Sequence, residues 1–141
     1  MEKFKVLFVC IHNSARSQMA ESIINELHGD KFIAESAGFE AGKLNPFAVE
    51  AMKEMGIDIS NKKTNEVFDF YKEGRIYNYV ITVCDESNAE KCPIFPGVSK
   101  TIHWSFEDPS SFVGTDQEKL INTIRIRDEI RIKIDDWVKS L

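Results

Sequence analysis

The sequence is poor in several residue types, and each shortage excludes a class of protein. Seven glycines and four prolines in 141 residues are too few for a disordered or low-complexity chain. No apolar run approaches the roughly 20 residues that a membrane-spanning helix requires. The three cysteines form an odd set, whereas small secreted proteins held together by disulfides usually carry an even number. We therefore expect a cytoplasmic protein, outside any membrane, whose thiols have chemical functions.

The chain also lacks a block of positive charge. Its 18 lysines and arginines are outnumbered by 23 aspartates and glutamates, which gives a formal charge of −5. An acidic surface repels the phosphates of nucleic acids and of anionic membranes, so neither is expected as a partner. With 43% hydrophobic residues, the chain can bury a sizeable core. We expect one domain over residues 1–141 that works as a monomer.

Hydrophobic patterns predict strands and helices in alternation. Short apolar runs typical of buried strands occur at residues 4–9 and 79–83, residues 32–36 are predicted as a second strand, and the alternating pattern of residues 100–104 predicts a fourth. Apolar residues at helical spacing follow the first strand, follow Pro46 and recur around residues 67–71. Thr115 is expected to cap a long final helix that turns Ile121 and Leu141 towards the core. Strands that alternate with helices form a parallel sheet covered on both faces, so we predict an α/β fold with three layers, α/β/α.

Three chemically reactive side chains follow predicted strands. Cys10, Cys84 and Asp108 each come shortly after a predicted strand. Ligands of parallel α/β sheets bind outside the carboxyl ends of the strands. We therefore expect all three side chains at one edge of the sheet, which is the predicted functional site.

The loop after the first strand has the composition of an oxyanion-binding site. Cys10 ends the strand, and a helix is expected to begin near Arg16. The intervening backbone N–H groups have no strand or helix partner and can form an anion-binding nest; they belong to Ile11, His12, Asn13, Ser14 and Ala15. Arg16 adds a planar fork of donors, and the same positive field favours a thiolate at Cys10, to which Ser17 can donate its hydroxyl proton. The alternative is that Cys10 is a buried structural cysteine and Arg16 a surface residue. That alternative does not explain why a strand precedes the pair and a helix follows it.

At this loop the sequence resembles a known protein family. The motif Cys-x5-Arg-Ser after an initial strand resembles the low-molecular-weight protein tyrosine phosphatase superfamily. The segments most similar to the thioredoxin-coupled arsenate reductases of that superfamily are Asn13–Glu21, Ser36–Gly38, Leu44–Pro46 and Trp104–Pro109. The resemblance extends over nearly the whole chain, and it implies a four-stranded parallel sheet in the order 2-1-3-4.

The resemblance implies a role for each thiol in reducing arsenate to arsenite. Cys10 would attack arsenate, Cys84 would attack Cys10 and release arsenite, and Cys92 would attack Cys84 to leave a disulfide that thioredoxin reduces. Asp108 would be the general acid that protonates a leaving oxygen. A helix over residues 84–92 would separate its ends by roughly 12 Å, whereas a disulfide requires Cα atoms about 4.4–6.8 Å apart. We therefore expect this segment not to be fully helical in the oxidised protein.

The resemblance also implies a monovalent-cation site, which holds potassium in some members. Its ligands would be Asn13, Glu21, Ser36 and Asn65, with Asn65 standing where an aspartate is usual. Ordinary hydrogen bonding among these side chains explains the same residues equally well. A zinc site is disfavoured, because the cysteine spacing contains no Cys-x2-Cys pair. No tightly bound cofactor is expected.

Three functions remain open from the sequence. The first is an arsenate reductase that uses the thiol relay. The second is a phosphatase acting through a Cys10 phosphoenzyme, since arsenate and phosphate are tetrahedral oxyanions of similar size and charge. The third is a non-enzymatic sensor of oxyanions or redox state. Ser110 and Ser111 follow Asp108-Pro109 in place of the aromatic pair with which phosphatases hold phenyl rings, and this favours the reductase.

Overall fold

A four-stranded parallel sheet forms the centre of the fold in the computed structural model, which describes residues 3–84, 95 and 100–141. The strands are β1 (Phe4–Cys10), β2 (Phe32–Gly38), β3 (Tyr79–Thr82) and β4 (Lys100–His103). Their order in the sheet is β2-β1-β3-β4, and each neighbouring pair is parallel. The predicted order and strand direction are therefore confirmed. The first two strands run further than predicted, as far as Cys10 and Gly38, and the last two are each one residue shorter.

In the described parts of the chain, four α-helices cover the sheet. They are α1 (Arg16–Leu27), α2 (Pro46–Glu54), α3 (Val67–Lys72) and α4 (Asp116–Ser140), and a short 3-10 turn occupies Pro109–Ser111. The starts of α2 and α4 follow from local chemistry. The Asn45 side chain accepts hydrogen bonds from the first amides of α2, and Thr115 forms a reciprocal capping box with Glu118. Within the described residues, no helix combines the length and the apolar character needed to cross a membrane.

The central strand β1 is buried on both faces, which explains its continuous apolar sequence. On one face its side chains pack against α1 and α4 in a cluster that includes Val6, Phe8, Met19, Ile23, Ile126 and Ile130. On the other face they pack in a second cluster that includes Leu7, Val9, Val67, Phe70 and Tyr77. The predicted three-layer α/β/α arrangement is confirmed. The two clusters fix the position of β1 as far as Cys10, where the loop begins.

The predicted core positions at two points of the last helix are wrong. Ile121 and Leu141 are each 59% exposed. Ile121 lies nine residues before Ile130, which places it on the opposite side of a helix whose buried face includes Ile126, Ile130 and Ile134. Leu141 follows the last helical residue and has passed the end of the core. The predicted polar turn after Cys84, together with Cys92, lies outside the described residues.

Candidate active site

The loop of residues 10–16 joins the end of β1 to the start of α1. Cys10 is the last residue of the strand and is almost fully buried, and Arg16 is the first residue of the helix. Among the described residues, no side chain caps α1 at Ala15, so its first amides point towards the loop. The helix therefore begins with partial positive charge directed at the space beside Cys10.

The loop turns its carbonyl groups away from this space. Four of them accept hydrogen bonds from backbone N–H groups of residues 39–45. The pairs are Phe39 to Cys10 at 3.2 Å, Glu40 to Ile11 at 3.0 Å, Gly42 to His12 at 3.0 Å and Asn45 to Ser14 at 2.9 Å. Within the part of the chain that the structure describes, the N–H groups of His12, Ser14 and Ala15 donate to no acceptor. Carbonyls on one side and unused amides on the other make an anion-binding nest.

Two hydrogen-bond donors hold the sulfur of Cys10. The Asn13 N–H lies 3.1 Å from Cys10 Sγ, and Ser17 Oγ lies 2.8 Å from it. Ser17 Oγ also accepts a hydrogen bond of 2.8 Å from Asn13 Nδ2, which leaves its own proton available to be donated to a Cys10 thiolate. These two contacts fix the position of the Cys10 sulfur at the start of the loop.

Asn13 has a strained backbone that its side chain helps to hold. Its φ of 54° is in the left-handed region, which asparagine tolerates better than most residues. The Oδ1 atom of Asn13 accepts hydrogen bonds from Gln18 Nε2 at 3.0 Å and from the Asn65 N–H at 2.9 Å. Gln18 also donates to the carbonyl of Lys63 at 3.0 Å, so it joins the loop to residues 63–65. Gln18 was not among the predicted site residues, although its position on the first turn beside Ser17 was an available signal.

Gly38 allows the loop and the end of β2 to approach each other closely. A Cβ atom at this position would lie 2.6 Å from Asn13 N, 2.8 Å from the carbonyl carbon of His12 and 2.8 Å from the carbonyl oxygen of Glu40. These neighbours are backbone atoms, which cannot turn aside as a side chain can. The glycine is therefore required by the path of the loop, a role that sequence analysis did not assign.

Arg16 and Asp108 meet at the carboxyl edge of the sheet. Arg16 is buried, donates through Nη1 to the carbonyl of Phe106 at 3.2 Å, and places Nη2 3.5 Å from Asp108 Oδ2. The other Asp108 oxygen accepts a hydrogen bond of 2.9 Å from the Ser110 N–H. One third of the Asp108 side chain is exposed. The carboxyl group is thus fixed beside the loop and still open to protons from solvent.

Cys84 follows β3, the strand beside β1. Val9 pairs with Thr82 in the parallel register, and the Val83 N–H donates to the carbonyl of Val9 at 2.8 Å. Cys84, which is fully buried, therefore leaves the sheet at the same edge as Cys10. The structure brings Cys10, Arg16 and Asp108 together and directs Cys84 to the same edge. Cys92 and the predicted non-helical path to it lie outside the described residues.

The residues proposed to bind a cation also lie close together, behind the loop. Ser36 Oγ donates to Glu21 Oε1 at 2.9 Å, and Asn65 Nδ2 donates to the carbonyl of Ser36 at 3.2 Å. The Lys62 ammonium forms an ion pair with Glu21 Oε2. In the described part of the chain, no cluster of three or more histidine, cysteine, aspartate or glutamate side chains could hold a metal ion.

Comparison with known proteins gives the family of this chain. The model of the low molecular weight phosphotyrosine protein phosphatase family matches residues 5–141. The chain belongs to this family. Within the family it lies on the arsenate reductase branch. It is 43% identical to an arsenate reductase from Bacillus subtilis, over 99% of this chain and 99% of that protein.

Solved structures of this phosphatase family agree with the fold. An arsenate reductase in its reduced state matches with a TM-score of 0.77 and 28% identity, covering 99% of this chain and 98% of that one. A thioredoxin-dependent arsenate reductase from Corynebacterium glutamicum matches with a TM-score of 0.69 and 27% identity, covering 99% of this chain and 62% of that one. The predicted family membership is confirmed.

The close approach at Gly38 generates a prediction about oxyanion binding. In Gly38→Ala the new Cβ must push the loop away from β2, so the amides of the nest lose their alignment. We expect the Kd for inorganic phosphate, measured by calorimetry, to rise at least about tenfold, a loss of about 1.4 kcal/mol.

The control for this variant is Gly56→Ala. Gly56 has a φ of 86°, so alanine there also strains the backbone, but its Cβ would meet no atom within 4 Å. Gly56→Ala should lower Tm and leave the phosphate Kd unchanged. A Gly38→Ala variant that loses stability yet binds phosphate like the parent would contradict the steric role given to Gly38.

Proposed function

We propose that this chain reduces arsenate to arsenite and takes its electrons from thioredoxin. The observation that carries the proposal is a second buried thiol, Cys84, which leaves the sheet at the same edge as Cys10. A phosphatase needs only water to resolve its covalent intermediate, whereas a reductase needs another thiol. The relatives named arsenate reductase, and the one named thioredoxin-dependent, support the same choice.

The first step is attack by the Cys10 thiolate on the arsenic atom of arsenate. The loop amides and Arg16 bind three oxygens and stabilise the negative charge as the S–As bond forms. Asp108, acting as an acid, gives its proton to the fourth oxygen, the hydroxyl of the arsenate dianion, which leaves as water. The partial exposure of Asp108 allows it to regain a proton from solvent. Ser17 and Asn13 keep the sulfur aligned through their hydrogen bonds.

The second step transfers two electrons to arsenic. The Cys84 thiolate attacks Cys10 Sγ, the S–As bond breaks, and its electron pair remains on arsenic. Arsenic is thereby reduced from the pentavalent to the trivalent state and leaves as arsenite. The two sulfurs are oxidised together to a Cys10–Cys84 disulfide.

The third step returns Cys10 to its reduced state. The Cys92 thiolate attacks Cys84, the Cys10–Cys84 bond breaks, and Cys10 leaves as a thiolate. The resulting Cys84–Cys92 disulfide is then reduced by the dithiol of thioredoxin, which becomes oxidised. Because every turnover begins with reduced thiols, we propose that the protein works in the cytoplasm. We also propose that it works as a monomer without a nucleic-acid or membrane partner, since its formal charge of −5 disfavours binding to polyanionic surfaces.

A residual phosphatase activity is the second candidate function. The nest, Arg16 and Asp108 suit a phosphate ester as well as arsenate, because both present a tetrahedral dianion. After Asp108-Pro109, however, the next two side chains are small hydroxyls: Ser110 Oγ accepts from Asn45 Nδ2 at 3.3 Å, and Ser111 Oγ donates to the carbonyl of Asp108 at 2.7 Å. Neither offers an apolar surface for an aromatic leaving group, so hydrolysis should be slow.

Cys84→Ser separates the two candidate functions. We expect arsenate-dependent NADPH oxidation, measured with thioredoxin and thioredoxin reductase, to fall to background because nothing can displace arsenite from Cys10. Hydrolysis of p-nitrophenyl phosphate should continue at the parent rate, since water resolves that intermediate. Cys10→Ser should abolish both activities.

Two results would overturn the relay. One is a Cys84→Ser variant that still reduces arsenate in many turnovers. The other concerns Cys92→Ser, which should release a single arsenite per chain and stop as the Cys10–Cys84 disulfide. Many turnovers by Cys92→Ser would exclude Cys92 from the cycle. Phosphate or arsenate binding by the parent without either turnover would point to a sensor instead.

Asp108→Asn tests the general acid. The amide cannot donate a carboxyl proton, so kcat for arsenate reduction should fall about 10²–10⁴-fold. Inhibition by phosphate should be preserved, because Arg16 keeps its hydrogen bond to Phe106 and loses a competing carboxylate. Glu107→Gln is the matched control, since Glu107 is exposed and pairs with Arg125. A kcat for Asp108→Asn close to that of the control would exclude Asp108 as the acid.

A further inference from the structure

The predicted cation ligands do not fit a bound potassium ion in this chain. Asn13 Oδ1 already accepts two N–H groups, from Gln18 and Asn65, and a carbonyl oxygen has only two lone pairs. Asn65 turns its Nδ2 to the carbonyl of Ser36, so it presents a donor where an aspartate would present an oxygen. Both oxygens of Glu21 are also engaged, one by Ser36 and the other by Lys62.

The charges lead to the same result. Glu21 is the single carboxylate among the four predicted ligands Asn13, Glu21, Ser36 and Asn65. It is buried, and the Lys62 ammonium pairs with it, so the two charges cancel. A potassium ion beside this pair would be a second positive charge against a single buried carboxylate, which is unfavourable. Burial lowers the pKa of Lys62. The ion pair with Glu21 is the described contact that holds the ammonium at this site.

We infer that the Lys62 ammonium replaces the monovalent cation of this site, so that the oxyanion loop is held in place without potassium. Lys62 is a positioning residue, and its influence passes through hydrogen bonds. The Glu21 carboxylate pairs with the Lys62 ammonium and accepts a hydrogen bond from the Ser36 hydroxyl. The Ser36 carbonyl accepts a hydrogen bond from Asn65 Nδ2, and the backbone N–H of Asn65 donates to Asn13 Oδ1. Asn13 in turn donates its N–H to Cys10 Sγ.

The surroundings of the pair make the inference testable. Glu21 and Lys62 line a cavity of about 190 Å³ together with Asn25, Asp58 and Ile59. This space opens to solvent, so a small ion can reach Glu21 once the ammonium is removed. Lys62→Met keeps most of the side-chain stem and deletes only the charge. The inference concerns the loop alone and holds whether a thiol or water resolves the Cys10 intermediate.

The experiment compares Tm and the phosphate Kd in potassium chloride and in tetramethylammonium chloride at equal ionic strength. The parent should show the same values in both salts. In tetramethylammonium chloride, Lys62→Met should lose about 3–6 °C in Tm, because Glu21 is left buried and unpaired. Its phosphate Kd should rise about threefold to tenfold, and potassium should restore most of both losses. If Lys62 had only a structural role, potassium and tetramethylammonium would have the same effect on the Tm and the phosphate Kd of Lys62→Met.

Two control variants sharpen the comparison. Lys63→Met removes the neighbouring exposed lysine and should behave like the parent in both salts. Lys62→Arg keeps the charge and should remain independent of potassium. Stabilisation of the parent by potassium over tetramethylammonium would overturn the inference, as would a Lys62→Met variant that matches the parent or that potassium fails to restore. If Lys62→Met does not fold in either salt, the parent and Lys62→Arg decide: potassium dependence in either one overturns the inference, and independence in both supports it.

Discussion

The hydrogen bonds between the carbonyls of the 10–16 loop and the amides of residues 39–45 are the interaction on which the rest of the site depends. They oblige the loop to direct its own N–H groups inwards, towards the space beside Cys10. An anion-binding nest of this kind can bind a tetrahedral oxyanion without any charged residue. Arg16 then adds a positive charge, and its guanidinium is already held by a hydrogen bond to the carbonyl of Phe106. Because these donors are already in place, little free energy is needed to reorient them when the negative charge develops, and this makes them effective in catalysis.

The sheet and the loop have different roles in the proposed reaction. The parallel register brings the ends of β1 and β3 side by side, so two thiols from distant parts of the chain leave the sheet at one edge. The loop distinguishes these thiols, because only Cys10 lies on the amide nest. A fold shared by phosphatases and reductases thus supports both reactions, and the difference lies in what attacks the sulfur or the bound oxyanion next.

Most of the site could be predicted from the sequence because its signals are local. Cys10, Arg16 and Ser17 lie within eight residues of one another, between an apolar run and a helical pattern. Lys62 and the steric role of Gly38 could not be predicted, since each depends on contacts with residues 25 to 41 positions away. Ile121 was misplaced for a related reason. An apolar residue has no preference among the faces of a long helix until the neighbouring α2 and α1 define which face is buried.

The orientation of the loop amides can be measured directly by nuclear magnetic resonance. If they bind the oxyanion, titration with phosphate should move the amide proton resonances of His12, Ser14 and Ala15 downfield and slow their exchange with solvent. Residues on the far side of the sheet should not respond. Binding of phosphate that leaves these three amides unchanged would contradict the account, because the anion would then lie elsewhere than against the nest over Cys10.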